Sequence, residues 1–394
     1  MTKTLELEKS NQACEILDEL DLDAWLVWVR ETSQMADPVL PIILGREVVW
    51  QSALIYSRDG TKTAIVGNFD ADGIEQARVF DEVIPYTEGI QEQLVTTLTK
   101  IDPHEIAINF SKNDVAADGL TVGMHLLLKE YLDDTPFQDR LKSAEQVIGR
   151  LRGRKTDTEL KRIREAVRIT ETIYKEAERF VRTGLSEIEI YEFFKQRMSH
   201  YGVGNAWDPE HNPAVDAGPN KEFGHSGPTN NKTKAGHLLH FDFGVKNDGY
   251  CSDIQRMFYF GIPSDIPNQI QDAFDTVYGA IQEASDHLRP GMKGYEVDAI
   301  ARDYVKERGY DEYQHALGHQ VGRVAHDGGT LLGPLWDRYG DSPKGEVEVG
   351  NVFTLELYVR TEEYGQLSLE EDVVVRGDGC EFLSSPQEEL ICIE

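Results

Sequence analysis

HLLHFDFGVKNDGYCSDIQR, residues 237–256, decides how this chain is read. Two strand-like runs, His237 to Val245 and Tyr250 to Phe260, flank Lys246-Asn247-Asp248-Gly249, and Asn, Asp and Gly tolerate the positive φ of a tight turn. The stretch is therefore expected to form an antiparallel hairpin. Centring its turn between Asn247 and Asp248 sets Asp242 opposite Asp253, with Cβ atoms about 4.5–5.5 Å apart on one face. A turn built on Asp248-Gly249 shifts the pairing by two residues and leaves both acids on that face. Like charges so placed destabilise a sheet unless something offsets them, as a divalent cation held by hard carboxylate oxygens does. Taken alone, the pair reads better as an exposed hairpin with its acids in water.

A second hairpin shifts that balance. Val352 to Val359 and Gln366 to Val375 flank Thr361-Glu362-Glu363-Tyr364-Gly365. Centring this turn between Glu363 and Tyr364 sets Glu356 opposite Glu371. Strand alternation places Glu371 with Leu367, Leu369, Val373 and Val375, and Glu370 with Gln366, Ser368 and Asp372. An acid on an apolar face must be paired, protonated or bound to metal. Glu371 is thus the expected ligand, and Glu370 the expected solvent-facing neighbour.

Between the hairpins lies HALGHQVGRVAHDGG, residues 315–329, which holds three of the chain's 11 histidines. His315 and His319 have the spacing of a zincin helix, but Ala316 stands where that motif needs Glu, which excludes it. The glycines suit a loop whose backbone approaches a ligand closely. One neutral imidazole, His319, would complete a two-metal site with Asp242, Asp253, Glu356 and Glu371. His315 reads as a structural residue.

Outward from this region, the N-terminal part alternates short strands and helices. Strand patterns cover Ala24 to Val29, Gln51 to Tyr56, Lys62 to Val66 and Glu105 to Ile108; helical ones cover Asn11 to Leu20, Gly89 to Leu98 and Leu120 to Tyr131. That alternation predicts an α/β domain. A basic cluster, RLRGRK at 150–155, precedes a helix opened by Thr156 and Glu159 in capping positions, and Ser186 opens another. Helical patterns return over Ile266 to Leu288 and Gly294 to Arg308. A chain of 394 residues holds about two domains. They are expected to be 1–149 and 150–394.

Composition narrows the partners. A net charge of −30, from 70 acidic against 40 basic residues, repels phosphate backbones and anionic lipid, which disfavours nucleic-acid and membrane partners. The acidity runs through both halves and suits a high-salt cytoplasm, or simply a soluble surface. No apolar run approaches the roughly 20 residues of a membrane span, and the acidic, amphipathic N-terminus has no signal core. A cytoplasmic location is expected. Cys14, Cys251, Cys380 and Cys392 form no C-x-x-C pair, so neither a disulfide scaffold nor a thiolate zinc site is expected.

With HFDFGVKNDGYCSDIQR, HALGHQVGRVAHDGG, VFTLEL (352–357) and LEEDVVV (369–375) in this order, the chain resembles the pita-bread metallohydrolases. That family includes methionine aminopeptidase, aminopeptidase P, prolidase and the metal-free creatinase. The two-domain layout is similar to the aminopeptidase P, prolidase and creatinase branch. The resemblance implies a creatinase-like N-terminal α/β domain and a pita-bread catalytic domain, α/β (α+β) overall. It implies two divalent ions, with Mn²⁺ foremost and Co²⁺, Zn²⁺ or Fe²⁺ as alternatives. Asp242 and Asp253 would hold one ion, His319 and Glu356 the other, and Glu371 would bridge. His225, in GHSGP, would help bind substrate; His326 would hydrogen-bond the scissile carbonyl or the tetrahedral intermediate. A shared metal-activated water would attack the carbonyl, with Glu356 passing the proton.

The implied activity is Xaa-Pro dipeptidase or aminopeptidase cleavage of short peptides by a homodimer. The alternatives are a same-fold C–N hydrolase or lyase acting on a small non-peptide molecule, and a non-catalytic metal-binding module. Two positions depart from the family. Leu357 stands where Pro usually follows the Glu, and Leu369 stands where an Arg often precedes the last ligand by two residues.

Overall fold

The computed structural model describes residues 4–219 and 227–394. The chain divides into two compact units, residues 1–152 and 153–394.

The first unit is built on a six-stranded mixed sheet. Its strands are β1 (Ala24–Val29), β2 (Ser52–Ser57), β3 (Lys62–Gly67), β4 (Glu82–Tyr86), β5 (Ile106–Ile108) and β6 (Leu141–Ser143), in the order β4-β3-β2-β1-β5-β6. β1/β2 and β2/β3 pair antiparallel, and β3/β4, β1/β5 and β5/β6 pair parallel. The helices are α1 (Leu5–Glu19), α2 (Leu40–Ile43), α3 (Asn68–Ala77), α4 (Gln91–Ile101), α5 (Val122–Tyr131) and α6 (Glu145–Gly153). β1 is buried along its whole length, because Trp25, Val27 and Val29 enter one apolar core while Leu26 and Trp28 enter another. A strand covered on both faces reads as a continuous apolar run, which AWLVWV is.

The second unit opens with α7 (Asp157–Phe180) and α8 (Glu187–Tyr201). Thr156 and Ser186 each accept from a backbone N–H three residues on, while Glu159 and Glu189 reach back to the cap N–H. Both are complete capping boxes. There follow β7 (Gly204–Asn205), β8 (Ala214–Ala217), β9 (Leu238–Phe243), β10 (Val245–Asn247), β11 (Tyr250–Cys251) and β12 (Ile254–Phe260). After α9 (Asn268–His287) and α10 (Gly294–Glu307) come β13 (Val352–Thr361), β14 (Gly365–Val375), β15 (Cys380–Phe382) and β16 (Ile391–Ile393). The main sheet runs β13-β14-β12-β9-β8, with β15 beside β14 and β16 beside β12.

Both expected hairpins form, and both have a different register from the one expected. In the first, Asp248 (φ +46°) and Gly249 (φ +80°) form the turn. Asn247 therefore faces Tyr250, and Asp242 faces Gln255 instead of Asp253. This is the two-residue shift that keeps Asp242 and Asp253 on one face. Asp253 itself lies between β11 and β12. Gly244, between β9 and β10, allows the chain to kink there, since a Cβ on it would sit 2.0 Å from the Ser252 carbonyl oxygen.

The second hairpin turns through three residues, with Thr361 paired to Gly365 (φ +81°). An odd loop moves the register by one and so exchanges the two faces of a strand. Glu356 consequently faces Glu370, and Glu371 faces Leu355. The expectation that Glu371 opposes Glu356 is corrected: Glu371 points to the apolar side, with Leu367, Leu369 and Val373 of the core.

Candidate metal centre

The register fixes one row of side chains across four strands. Glu356 of β13 pairs with Glu370 of β14, Glu370 with Gln255 of β12, and Gln255 with Asp242 of β9. Directly paired residues share a face of the sheet. This row forms one wall of a cavity of about 520 Å³ that Asp253, His319, His326, Asp216, His240, Tyr358 and Ser368 also line.

His319 reaches the row because residues 317–321 run alongside β13. The amides of Glu356, Thr354 and Val321 donate to the carbonyls of Leu317, His319 and Val352. Gly318 permits this approach, since a Cβ there would lie 1.9 Å from the Thr354 carbonyl oxygen. Asp298 and Arg302 of α10 support the loop from behind. Asp298 accepts from the Leu317 amide at 3.0 Å, and Arg302 donates to the carbonyls of Tyr313 and His315.

Donor atoms of Asp253, His319 and Glu370 all lie within 4.8 Å of one another. His319 Nε2 is 3.7 Å from Asp253 Oδ2 and 3.5 Å from Glu356 Oε1. His319 Nδ1 faces the Gln320 carbonyl at 3.4 Å, which turns Nε2 toward the acids. Burial pushes the acid form of His319 down to a pKa of about 3, so the imidazole is neutral and free to ligate.

The carboxylates shift the other way. Burial, then the neighbouring charge of Glu356 and Asp216, lifts Asp242 to about 7 against the opposing pull of His240. Burial lifts Glu356 to about 7, with the Gln255 bond opposing it. Asp253 and Glu370 are held well above the carboxylate range, by burial first and then by the other acids. Asp242 Oδ1 and Glu370 Oε2 are buried with no hydrogen-bond partner among the described residues. Buried carboxylate oxygens without donors, crowded around a neutral imidazole, fit a divalent cation.

The structure therefore brings Asp242, Asp253, His319 and Glu356 of the expected ligands to one cavity. It takes Glu371 away from that cavity. Arg256 grips both Glu371 oxygens, at 2.9 and 3.0 Å, and Ser384 Oγ and the Gln387 amide donate to the same carboxylate. Glu370, expected in solvent, is buried and takes its place at the cavity wall. Counted from Glu370, the residue two positions earlier is Ser368, while Leu369 sits in the core. His326 is exposed at the cavity, its ring edge-on to His319 with centroids 4.2 Å apart. His225 lies outside the described residues. His315 lines the cavity between Tyr313 and Tyr358.

Sequence reasoning missed Gln255, Ser368, His240 and Asp216, all buried in the cavity wall. The turn on Asp248-Gly249 was the signal that puts Gln255 beside Asp242.

A sheet wall of acids closed by one loop histidine is a donor set suited to a divalent cation. The profile of metallopeptidase family M24 matches residues 161–377, and the chain belongs to that family. Family membership implies divalent metal ions and a peptide substrate. Among curated relatives, a Bacillus subtilis (strain 168) protein described as uncharacterized peptidase YqhT is 26% identical over 336 residues, which is 85% of this chain and 88% of that one. A solved Xaa-Pro dipeptidase from Bacillus anthracis superposes with a TM-score of 0.74 at 23% identity, over 98% of this chain and 99% of that one. An X-Pro aminopeptidase from Thermotoga maritima MSB8 gives 0.73 at 23% identity, over 95% and 99%. These two likenesses establish the fold: an N-terminal mixed-sheet domain followed by a pita-bread domain. Among the described residues no helix is long and apolar enough to cross a membrane.

Proposed function

We propose that this chain is a two-metal peptidase that cleaves short peptides at Xaa-Pro bonds. Asp242, Asp253, His319, Glu356 and Glu370 would hold the ions, Mn²⁺ foremost, and a homodimer would be the working form. One observation carries the reading: donors of Asp253, His319 and Glu370 lie within 4.8 Å of one another. The cavity around them is also lined by Asp242 and Glu356. The solved Xaa-Pro peptidases of the same fold support the substrate class.

Bound divalent ions would supply Lewis-acid polarisation of the carbonyl and a water acidic enough to ionise near neutral pH. Glu356 is the residue to move the proton. It is less buried than Glu370, and one of its oxygens is held by Gln255 at 3.2 Å. It would take a proton from the attacking water and return it to the departing nitrogen. His326, exposed at the cavity, would donate to the scissile carbonyl oxygen, where charge develops in the transition state. His225 would assist in holding the substrate.

The test is to load the purified protein with Mn²⁺, Co²⁺, Fe²⁺ or Zn²⁺ and assay Xaa-Pro and non-proline dipeptides side by side. Preferential cleavage of Xaa-Pro bonds is expected. Metal uptake without turnover of any peptide would move the assignment to a small non-peptide substrate. No metal uptake at all would overturn the metallopeptidase reading.

A further inference from the structure

We propose that Gln255 is a positioning residue for Glu356, held in one orientation by Ser368 and by the His240–Asp216 pair. The inference rests on the metallopeptidase reading of the same site.

Gln255 occupies the place in the sheet between Glu370 and Asp242, where every other member of the row is an acid. It is buried, so its amide needs hydrogen-bond partners within the wall. Its Nε2 donates to Glu356 Oε2 at 3.2 Å. Its Oε1 accepts from Ser368 Oγ at 2.5 Å and from His240 Nε2 at 3.0 Å. The other ring nitrogen of His240, Nδ1, faces Asp216 Oδ2 at 3.0 Å. A run of hydrogen bonds thus leads from Asp216, on β8, through the wall to Glu356, on β13.

The order of atoms in this run decides what it does. An ionised carboxylate can only accept, so a donor must face Glu356 Oε2, and the amide nitrogen is that donor. Reversing the amide would set its oxygen against the Glu356 carboxylate. Ser368 and His240, aimed together at Oε1, hold the amide in the productive orientation. With Oε2 so occupied, the other oxygen, Oε1, is left 3.5 Å from His319 Nε2, on the side of Asp253 and Glu370. The carboxylate is divided: one oxygen is tied to the wall, and one faces the ligand cluster. Partners that orient a ligand in this way typically account for about 10–100-fold in metal affinity or activity.

The experiment uses the full chain, stripped of metal and titrated with Co²⁺ while the visible d–d absorption and the melting temperature are recorded. It then measures kcat and KM on Xaa-Pro dipeptides. Gln255→Met keeps the length and removes the donor. It is expected to weaken Co²⁺ binding and lower kcat by about 10–100-fold, to shift the absorption band, and to change KM far less than kcat. Ser368→Ala loosens the amide without removing it and is expected to shift the same band with a loss of less than about tenfold. A folded Gln255→Met protein with the wild-type spectrum and kcat would overturn the proposal. Where Gln255→Met does not fold, a Ser368→Ala protein with wild-type spectrum and kcat would overturn it instead. Wild-type protein that binds no Co²⁺ refutes the metallopeptidase reading itself; wild-type binding and turnover beside an unaltered Gln255→Met refutes only the role of Gln255.

Discussion

Arg256 holds Glu371 through two parallel hydrogen bonds, Nη1 to Oε1 at 2.9 Å and Nη2 to Oε2 at 3.0 Å, with both side chains buried. One residue earlier, Glu370 Oε2 is buried with no donor among the described residues. Adjacent acids on one strand thus meet opposite electrostatic needs, one answered by a guanidinium and one open to a metal.

The two acids are expected to separate stability from activity. Glu371→Ala strands a buried guanidinium and should cost about 3–5 kcal/mol of unfolding free energy, read by urea titration. Glu370→Gln removes a buried ionisable acid whose pKa is raised by burial and by its acidic neighbours, so its metal-free melting temperature should be unchanged or higher. Activity of the metal-loaded Glu370→Gln protein should nevertheless fall by more than about 100-fold, since a ligand is lost outright. The reverse pattern, with Glu371 lethal to metal binding and Glu370 indifferent, would mean that the β13–β14 register is wrong.

Much of this was legible in the sequence, for local reasons. Thr156 with Glu159 and Ser186 with Glu189 announce helix starts because capping is decided within four residues. AWLVWV announces a strand because both its faces are buried. The choice between Glu370 and Glu371 was not legible, because it hangs on whether the loop at 362–364 is odd or even. A slip of one residue exchanges the faces of a strand, and both faces of β14 are buried. The apolar neighbours of Glu371 suggested a metal ligand; an arginine 115 residues away in sequence answers that charge instead. Ser368 shares the face of Glu370 that the sequence assigned to solvent, neither Gln255 nor His240 announces a partner in the sequence, and only the folded sheet joins the three.

Metal should stabilise the second unit directly. Unloaded, the cavity crowds Asp242, Asp253, Glu356 and Glu370 with burial raising every one of their pKa values. A cation that binds the folded state alone, at 100 times its dissociation constant, adds about 2.7 kcal/mol. Chelation followed by dialysis should abolish peptide hydrolysis and lower the melting temperature by about 5–10 °C, and added Mn²⁺ should restore both. An unchanged melting curve after complete metal removal would contradict the ligand assignment.

Gly318 is where backbone shape becomes ligand position. Its neighbours Leu317 and His319 accept from Glu356 and Thr354, and there is no room for a Cβ beside the Thr354 carbonyl oxygen. Gly318→Ala must push the loop off β13. A stability loss of about 1–3 kcal/mol is expected from the overlap. Because His319 moves with the loop, Co²⁺ affinity should fall by at least about tenfold, measured by visible titration. Wild-type Co²⁺ affinity in this variant would show that the loop reaches its place without close packing on β13.

Salt dependence follows from the charge imbalance. With 70 acids against 40 bases, 30 negative charges have no basic counterpart in the chain. Salt acts in two opposed ways here. It weakens exposed ion pairs such as Lys100–Glu82 and Lys142–Glu105, which are worth about 0–1 kcal/mol each. It also screens the repulsion among the surplus acids, an effect summed over the whole surface. The second effect should win, so the melting temperature should rise by about 5 °C or more between 0.05 and 1 M KCl, most of it gained early, because the Debye length is already about 3 Å at 1 M. A rise that stays linear to high salt would indicate general strengthening of apolar burial instead of screening. A flat or falling curve would mean that the acidic surface serves solubility alone.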